Sequence, residues 1–150
     1  MMLKHLGHQT AHVYSGADPE LLDKIPVPPG LAELEVCIKG DEFTCVCPAT
    51  GGPDFGEIQI NIDPDEYLVE SKSLKLYLES YRQHPIFHEA AVRKICDDLY
   101  KLMQPFHIMV QGHFKPRGGW AICPIASRDK GLETKRAQES EAQVSDEVDS

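Results

Sequence analysis

Residues 57–62 read Glu-Ile-Gln-Ile-Asn-Ile, a strict alternation of polar and apolar side chains. A period of two predicts a β-strand with one buried face and one wet face. Residues 33–39, Glu-Leu-Glu-Val-Cys-Ile-Lys, alternate in the same way, and we expect this strand to continue to Val46 after a bend at Gly40 and Asp41. Because residues 48–54 are rich in turn formers, the two strands are predicted to form an antiparallel hairpin with a long loop.

Two helices are predicted after this hairpin. The first runs from about Ser73 to Tyr81 and the second from about Phe87 to Met103, each with apolar residues spaced near 3.6 along one face. Pro85 separates them, because proline disfavours helix at the residue before it. Ser71 or Ser73 is the predicted N-cap of the first helix.

A second hairpin is predicted to close the unit. Its first strand carries Ile108 and Val110, its turn is Lys-Pro-Arg-Gly-Gly at residues 115–119, and its second strand runs from Trp120 to Ile125. The element order is then β-β-α-α-β-β, an α+β fold in which an antiparallel sheet carries two helices on one face. The exposed edges of so small a sheet need to be covered, and oligomerisation that closes the sheets into a barrel is one solution.

The two ends of the chain differ from this segment. Residues 1–30 are punctuated by proline and are predicted to be an irregular lead-in to a domain at residues 31–130. Residues 131–150 hold six acids, two bases and almost no large apolar side chain. Because such a segment buries too little surface to offset its ordering entropy, we predict an acidic disordered tail.

The composition excludes several classes of protein. The chain has 150 residues, enough for one domain, and its net charge of −9 disfavours direct nucleic-acid binding. Its apolar runs are far shorter than the roughly 20 residues of a membrane helix, and the first residues lack the apolar core of a signal peptide. Five cysteines without a Cys-x-x-Cys pair disfavour a disulfide framework and a zinc site, so we expect reduced thiols in the cytoplasm.

Cys47 ends the first strand and opens the loop that leads to Asp54. Stretched, this segment would span roughly 24 Å, but its glycines and prolines favour a fold-back that would bring thiol and carboxylate to one pocket. A thiol nucleophile beside a proton donor is a sensible catalytic pair. The alternative is a half-buried cysteine and a solvated turn aspartate. A metal clip formed with Cys45 is conceivable, but no clear third and fourth ligands are nearby.

Three basic residues could hold an anion. Lys72 and Lys75 share a face if both are helical, and lysines at the start of a helix oppose its macrodipole, which would suit a bound phosphate. Arg117 lies in the turn of the second hairpin and could join them on the phosphates of a dinucleotide. The alternative for all three is a solvated basic side chain.

His88 and Glu89 begin the second helix. Glu89 in the first turn suits the helix dipole, so a purely stabilising role is possible. The functional alternative is a ligand clamp, in which the carboxylate accepts two hydrogen bonds from a guanine-like edge and the histidine bonds a carbonyl of the same ring. The residues themselves do not choose between the two.

Taken together, CPATGGPDF, VESKSLKLYLESYR, FHE and FKPRGG, in this order and spacing, resemble the short, single-unit form of the NADPH-dependent 7-cyano-7-deazaguanine reductases, the QueF family. The resemblance runs from about residue 42 to residue 125, and ESKSLKLY is the family's signature motif. It implies the tunnelling fold, shared with GTP cyclohydrolase I, and ring assemblies with active sites between subunits. It also implies a cytoplasmic nitrile reductase of queuosine biosynthesis, a tRNA modification, that uses two NADPH.

The resemblance also implies roles for individual residues. Cys47 matches the nucleophile that forms a thioimide with the nitrile, and Asp54 matches the proton donor. The residues that match contacts to the deazapurine substrate are Val69, Glu70, Ser71, His88 and Glu89. Those that fit positions for the cofactor phosphates are Lys72, Lys75 and Arg117. No metal is implied.

Two rival functions differ in class. A zinc-dependent pterin or GTP cyclohydrolase-like enzyme of the same fold would need a Cys/His metal set, and the seven histidines form none that can be recognised. A non-catalytic purine- or pterin-binding protein could keep Glu89 without turnover. The presence of both Cys47 and Asp54 argues against that second rival.

Overall fold

The computed structural model describes residue 4 and residues 14–31 and 33–131. Apart from Gly131, the predicted acidic tail lies outside the described residues, as does most of the first half of the predicted lead-in. In chain order the strands and α-helices are β1 (Lys24–Pro26), β2 (Val36–Val46), β3 (Pro53–Asp63), β4 (Tyr67–Val69), α1 (Ser71–Glu79), α2 (His88–Met103), β5 (His107–Phe114) and β6 (Ile125–Asp129).

Four of the strands form one antiparallel sheet in the order β2-β3-β5-β6. The register between β2 and β3 shifts between Gly40 and Phe43, which confirms the bend predicted there. β3 begins at Pro53, earlier than its alternating pattern indicates, so the loop of this hairpin is only residues 47–52. Asp54 is therefore a strand residue, paired in register with Cys45.

The predicted irregular lead-in is wrong for part of its length. β1 pairs with β4 in a small two-stranded antiparallel sheet, and a 3-10 turn covers Pro19–Leu21. Both strands have only three residues, too few for a hydrophobic period to show in the sequence. Their pairing nevertheless fixes the start of α1, because the Glu70 amide donates to Asp23 O at 2.8 Å.

The last strand lies further along the chain than predicted. Residues 120–124 follow β5 with isolated backbone bonds, from Phe114 N to Ile122 O at 3.3 Å and from Gly112 N to Pro124 O at 3.0 Å. Regular pairing begins only at Ile125, opposite Gln111. Pro124 has no backbone N–H, so a ladder through residues 120–124 would miss a donor there.

The first helix begins earlier than predicted and its N-cap is Glu70, neither Ser71 nor Ser73. The Glu70 carboxylate accepts hydrogen bonds from Lys72 N at 2.9 Å and from Ser73 N at 2.8 Å. The Ser73 hydroxyl instead accepts from the Asp23 amide at 2.9 Å and donates to Glu70 O at 2.8 Å. Glutamate is an unusual N-cap, so the nearby serines were the natural expectation.

Both helices pack on one face of the four-stranded sheet, as predicted. The second helix occupies the predicted stretch and ends at Gln104, which adopts a left-handed conformation. The buried face of the sheet is built from alternate residues of β3 and β5, among them Ile58, Ile60, Ile62, Ile108 and Val110. Within the described part of the chain, no helix has the length and apolar character needed to cross a membrane.

Candidate active site

A tight backbone turn follows Cys47. The Cys47 amide donates to Gly52 O at 2.8 Å, and the Gly51 amide donates to Cys47 O at 2.8 Å. Gly51 has a φ of +70°, a conformation that favours glycine. These bonds fold the loop back on itself, so the chain enters β3 beside the strand it has just left. The fold-back expected from the turn residues is therefore present.

The segment between the helices is fastened next to the same loop. The Val46 amide donates to His84 O at 3.0 Å, and the Ile86 amide donates to Val46 O at 3.0 Å. This short parallel bridge holds the start of α2 against the end of β2. As a result the first residue of α2, His88, is positioned beside Asp54 of β3.

His88 and Asp54 form a buried pair. His88 Nε2 lies 2.9 Å from Asp54 Oδ2, and the two residues are 6% and 4% exposed. The imidazole stacks on the Phe114 ring, with 3.7 Å between ring centroids and 5° between the planes. Burial lowers the pKa of His88, and the neighbouring Glu89 carboxylate opposes this shift. The neutral imidazole is therefore favoured beside Asp54.

The side chain of Arg117, in the turn of the β5–β6 connection, extends to Cys47 and Asp54. Its Nη1 lies 3.9 Å from Cys47 Sγ, and its Nη2 contacts Asp54 Oδ1. The turn is closed by backbone hydrogen bonds between Arg117 and Trp120, and Gly118 and Gly119 both have positive φ. A single guanidinium thus touches both the predicted nucleophile and the predicted proton donor.

Cys45 near the end of β2 and Cys47 just after it differ in their acidity. The Thr50 side chain, the backbone amides of Thr50 and Ala49, and then Arg117 hydrogen-bond to the Cys47 sulfur and lower its pKa to about 6. Burial raises the pKa of Cys45 to about 11, and its thiol lies 3.7 Å from Ile86 O. At neutral pH Cys47 is therefore largely a thiolate and Cys45 a thiol.

Thr50 is a functional residue that the sequence reasoning missed. Its Oγ1 accepts a hydrogen bond from the Gly52 amide at 3.3 Å, which leaves the hydroxyl proton available for the Cys47 sulfur. A hydroxyl residue three positions after a cysteine, inside a Gly/Pro-rich loop, is the local signal that could have found it. Phe114, the stacking partner of His88, was also missed, because its contact depends on the pairing of β3 with β5.

The predicted binding residues around the start of α1 lie in a different environment. Val69 and Glu70 are buried, and the Glu70 carboxylate is engaged in capping the helix. Ser71 is exposed, and its hydroxyl donates to Glu70 Oε1 at 3.4 Å. Lys75 is largely exposed and lies 3.8 Å from Glu79. Lys72 is half-buried in the first turn.

A groove of about 350 Å³ opens between α1 and the bend of β2. Its floor is apolar and includes Ile58, Ile60 and Leu74, while Lys75 and Arg82 are among the charged residues at its border. Val69 and Ser71 also line it, whereas Cys47 and Asp54 do not. The structure therefore brings the predicted site residues together in two groups.

Glu89 is exposed at the start of α2, next to the exposed ring of Phe87. Because Glu89 is exposed, its carboxylate is accessible to a ligand or to another chain, whereas its neighbour His88 is buried. Among the residues that the structure describes, no group of three or more His, Cys, Asp or Glu side chains is arranged to hold a metal ion.

Comparison with known proteins finds relatives that share one name. A relative from Helicobacter pylori, named NADPH-dependent 7-cyano-7-deazaguanine reductase, is 45% identical over 126 residues, covering 83% of this chain and 84% of the relative. A relative of the same name from Bdellovibrio bacteriovorus is 59% identical over 86 residues, 57% of this chain and 51% of the relative. The match therefore spans about half the length of that second relative.

A solved structure supports the fold. The apo form of the archaeosine synthase QueF-Like superposes with a TM-score of 0.55 and 19% identity, covering 63% of this chain and 90% of that protein. At this identity the likeness bears on the fold alone, and it agrees with the predicted tunnelling-fold topology. The family model described as QueF-like protein matches residues 53–132, more than half of the chain. With that match and the 45% identity to the Helicobacter pylori relative, the chain belongs to the QueF family.

Proposed function

We propose that this chain reduces the nitrile of 7-cyano-7-deazaguanine to the 7-aminomethyl compound with NADPH, in the biosynthesis of queuosine. The observation that carries the proposal is the convergence of Cys47, Asp54, His88 and Arg117 at the end of the β2–β3 hairpin. Relatives that match most of the chain bear the name of this reductase. The five cysteines are free, which suits a protein of the reducing cytoplasm.

Cys47 is the proposed nucleophile. Its thiolate adds to the nitrile carbon and gives a thioimide, which accepts hydride better than a bare nitrile once its nitrogen is protonated. Asp54 donates that proton, and its burial beside His88 holds the carboxyl group in one orientation. The low pKa of Cys47 favours its thiolate, so its proton can pass to the carboxylate of Asp54.

NADPH supplies the hydride for both reductions. Lys72, Lys75 and Arg117 are the predicted contacts for its phosphates. The largely exposed Lys75 side chain is free to turn from Glu79 toward a bound anion. After the first reduction Cys47 leaves as a thiolate, which its low pKa favours. The protein must then keep water from the imine until the second reduction.

Substrate recognition is proposed to depend on both groups of residues. Glu89 accepts two hydrogen bonds from the guanine-like edge, and its exposure leaves both carboxylate oxygens available. His88 contacts a carbonyl of the same ring; because its Nε2 lies 2.9 Å from Asp54, this contact uses the other ring nitrogen or a small turn of the ring. Residues 69–71, at the junction of β4 and α1, provide the remaining predicted contacts. Because the carboxylate of Glu70 caps α1, the contact proposed for Glu70 is through its main chain.

We also propose that the protein is a ring-shaped homo-oligomer with active sites between subunits. β2 and β6 are the outermost strands of the four-stranded sheet, so each offers an edge for pairing with another copy. Exposed Phe87 and Trp120 flank the catalytic group, and both are large apolar side chains that a neighbouring subunit could cover. Light scattering during turnover tests this, since an active monomer would rule out a shared site.

The reaction itself is tested by mixing the protein with NADPH and the cyano compound and following nicotinamide absorbance. Two NADPH oxidised for each nitrile consumed is the expected result. If no NADPH is oxidised but the purine binds tightly, the result would favour a non-catalytic binding protein. Bound zinc, together with hydrolysis of a pterin or GTP, would favour the cyclohydrolase-like alternative.

A further inference from the structure

We infer that Arg117 is the counter-ion of the Cys47–Asp54 pair. Its guanidinium balances the one negative charge that Cys47 and Asp54 share while a proton moves between them. The inference rests on the proposed function, because it assigns the Arg117 side chain to the covalent step of that reaction. It differs from the role predicted from the sequence, in which Arg117 contacts a cofactor phosphate.

The geometry places the two guanidinium nitrogens on different reacting groups. Nη1 lies 3.9 Å from Cys47 Sγ, while Nη2 contacts Asp54 Oδ1. Asp54 is 4% exposed, so its carboxylate has little water to solvate a negative charge. A buried carboxylate without a cation nearby is costly, and Arg117 is the cation that touches it.

Among the residues that the structure describes, the other titratable groups named near the pair are poorly suited to balance its negative charge. From α2, His88 faces Asp54, but burial lowers the pKa of its imidazole and favours the neutral form. From β2, Cys45 lies next to Cys47, and burial raises its pKa to about 11, so it stays a neutral thiol. Lys75 of α1 is paired with Glu79 beside a groove that Cys47 and Asp54 do not line.

The proposed step conserves charge at the site. In the resting pair the proton is on Cys47 and the charge is on Asp54, or the reverse. Transfer breaks the S–H bond, forms the Asp54 O–H bond and moves the negative charge from oxygen to sulfur. The thiolate then forms the S–C bond, the C≡N bond becomes C=N, and the nitrogen takes the proton from Asp54.

Arg117 stays in contact with the charge throughout this sequence. When the thioimide has formed, sulfur is neutral and the charge is again on Asp54, against Nη2. No step leaves an anion without its cation, so the transfer avoids the electrostatic cost of separating charges in a poorly solvated site. Lysine, a single point charge, is a poorer match to two acceptors than the fork of a guanidinium.

The test is the pH dependence of Cys47 alkylation by iodoacetamide in the full chain, without substrate or cofactor. Fragment-ion mass spectrometry separates Cys47 from Cys45, and both from the exposed Cys37 and Cys123. The unchanged protein is expected to show a midpoint near pH 6. In Arg117→Gln the midpoint rises by about one pH unit, so that alkylation at pH 6 becomes about fivefold slower.

The matched control is Lys115→Gln, which removes a cation from the same turn and leaves its backbone bond to Phe55 in place. Its profile is expected to overlay that of the unchanged protein. The pH profile of Arg117→Lys, which keeps a positive charge, should lie between those of the unchanged protein and Arg117→Gln. This variant replaces Arg117→Gln in the test if the glutamine variant does not fold. Circular dichroism and a thermal melt check the fold of each variant.

An unchanged midpoint in both folded Arg117 variants would overturn the inference, and a higher KM for NADPH alone would then assign Arg117 to a cofactor phosphate. A shifted midpoint in a protein that never reduces the nitrile would support the counter-ion and overturn the proposed function. Failure of the counter-ion inference can therefore be distinguished from failure of the proposed function, because alkylation needs neither substrate nor NADPH.

Discussion

The surroundings of Cys47 and the start of α1 use their polar residues in opposite ways. At Cys47, groups from the β2–β3 hairpin, α2 and the β5–β6 connection converge on one thiol and one carboxylate, with contacts that serve no regular secondary structure. At the start of α1, Glu70 and Ser73 are committed to capping the helix and tying it to Asp23. Residues of one sequence motif can therefore have mainly architectural roles, even when the motif identifies an enzyme family.

The largest expected effect distinguishes the Cys47 thiol from the thiol of Cys45, two residues earlier in the chain. Cys47→Ala is expected to abolish nitrile reduction, because no thioimide can form. Cys45→Ala should keep turnover, since burial raises the pKa of that thiol to about 11 and it contacts Ile86 O in the protein interior. Steady-state rates of the two purified variants make the comparison, and activity in Cys47→Ala would remove the basis of the assignment.

The next effect concerns the buried acid. Asp54→Asn is expected to slow formation of the covalent adduct by about 10²–10⁴-fold, because an amide cannot donate a comparably acidic proton. The pair with His88 is nearly isosteric in this variant, so the fold should persist. Stopped-flow absorbance of the adduct measures the rate; a normal rate would mean that another group supplies the proton.

A smaller effect is expected at the exposed carboxylate beside the site. Glu89→Ala should weaken binding of the deazapurine by at least about a hundredfold, given roughly 1.5–3 kcal/mol for each of two charge-assisted hydrogen bonds. NADPH affinity and thermal stability should not change, since Glu89 is exposed. Titration calorimetry with each ligand is the measurement. Equal losses for substrate and cofactor would mark a structural role instead.

The smallest effect is expected at the start of α1, and it appears in stability. Glu70→Ala removes two hydrogen bonds to the first-turn amides of α1 and is expected to lower the free energy of unfolding by about 1–2 kcal/mol. Glu66→Ala, at an exposed position, should change it by less than about 0.5 kcal/mol. Urea denaturation compares them. A stable Glu70→Ala with weakened substrate binding would instead place Glu70 with the functional group.

Much of the fold could be predicted because burial on one face imposes a period. β2, β3 and α2 all follow from the spacing of apolar residues, and the Cys47 loop from its turn formers. β1 and β4 are too short to show a period, and β6 was placed early because the apolar residues before Pro124 resemble a strand. The N-cap was missed because serine is the commoner cap.

The candidate site was predictable only where its contacts are local. Cys47 and Asp54 lie seven residues apart, across a loop whose composition indicates a fold-back. The approach of Arg117 to Cys47 spans 70 residues and depends on the exact register of β3 on β5, which no local pattern encodes. The same holds for the stacking of Phe114 on His88.

The central claim, that Cys47 is the nucleophile of a nitrile reductase, is tested most directly by incubating the protein with 7-cyano-7-deazaguanine in the absence of NADPH. Addition to a nitrile has no leaving group, so intact-protein mass spectrometry should show an increase equal to the whole mass of the substrate. Peptide mapping should place the adduct on Cys47. An adduct on Cys45, or no adduct in a protein that still reduces the nitrile, would contradict the account.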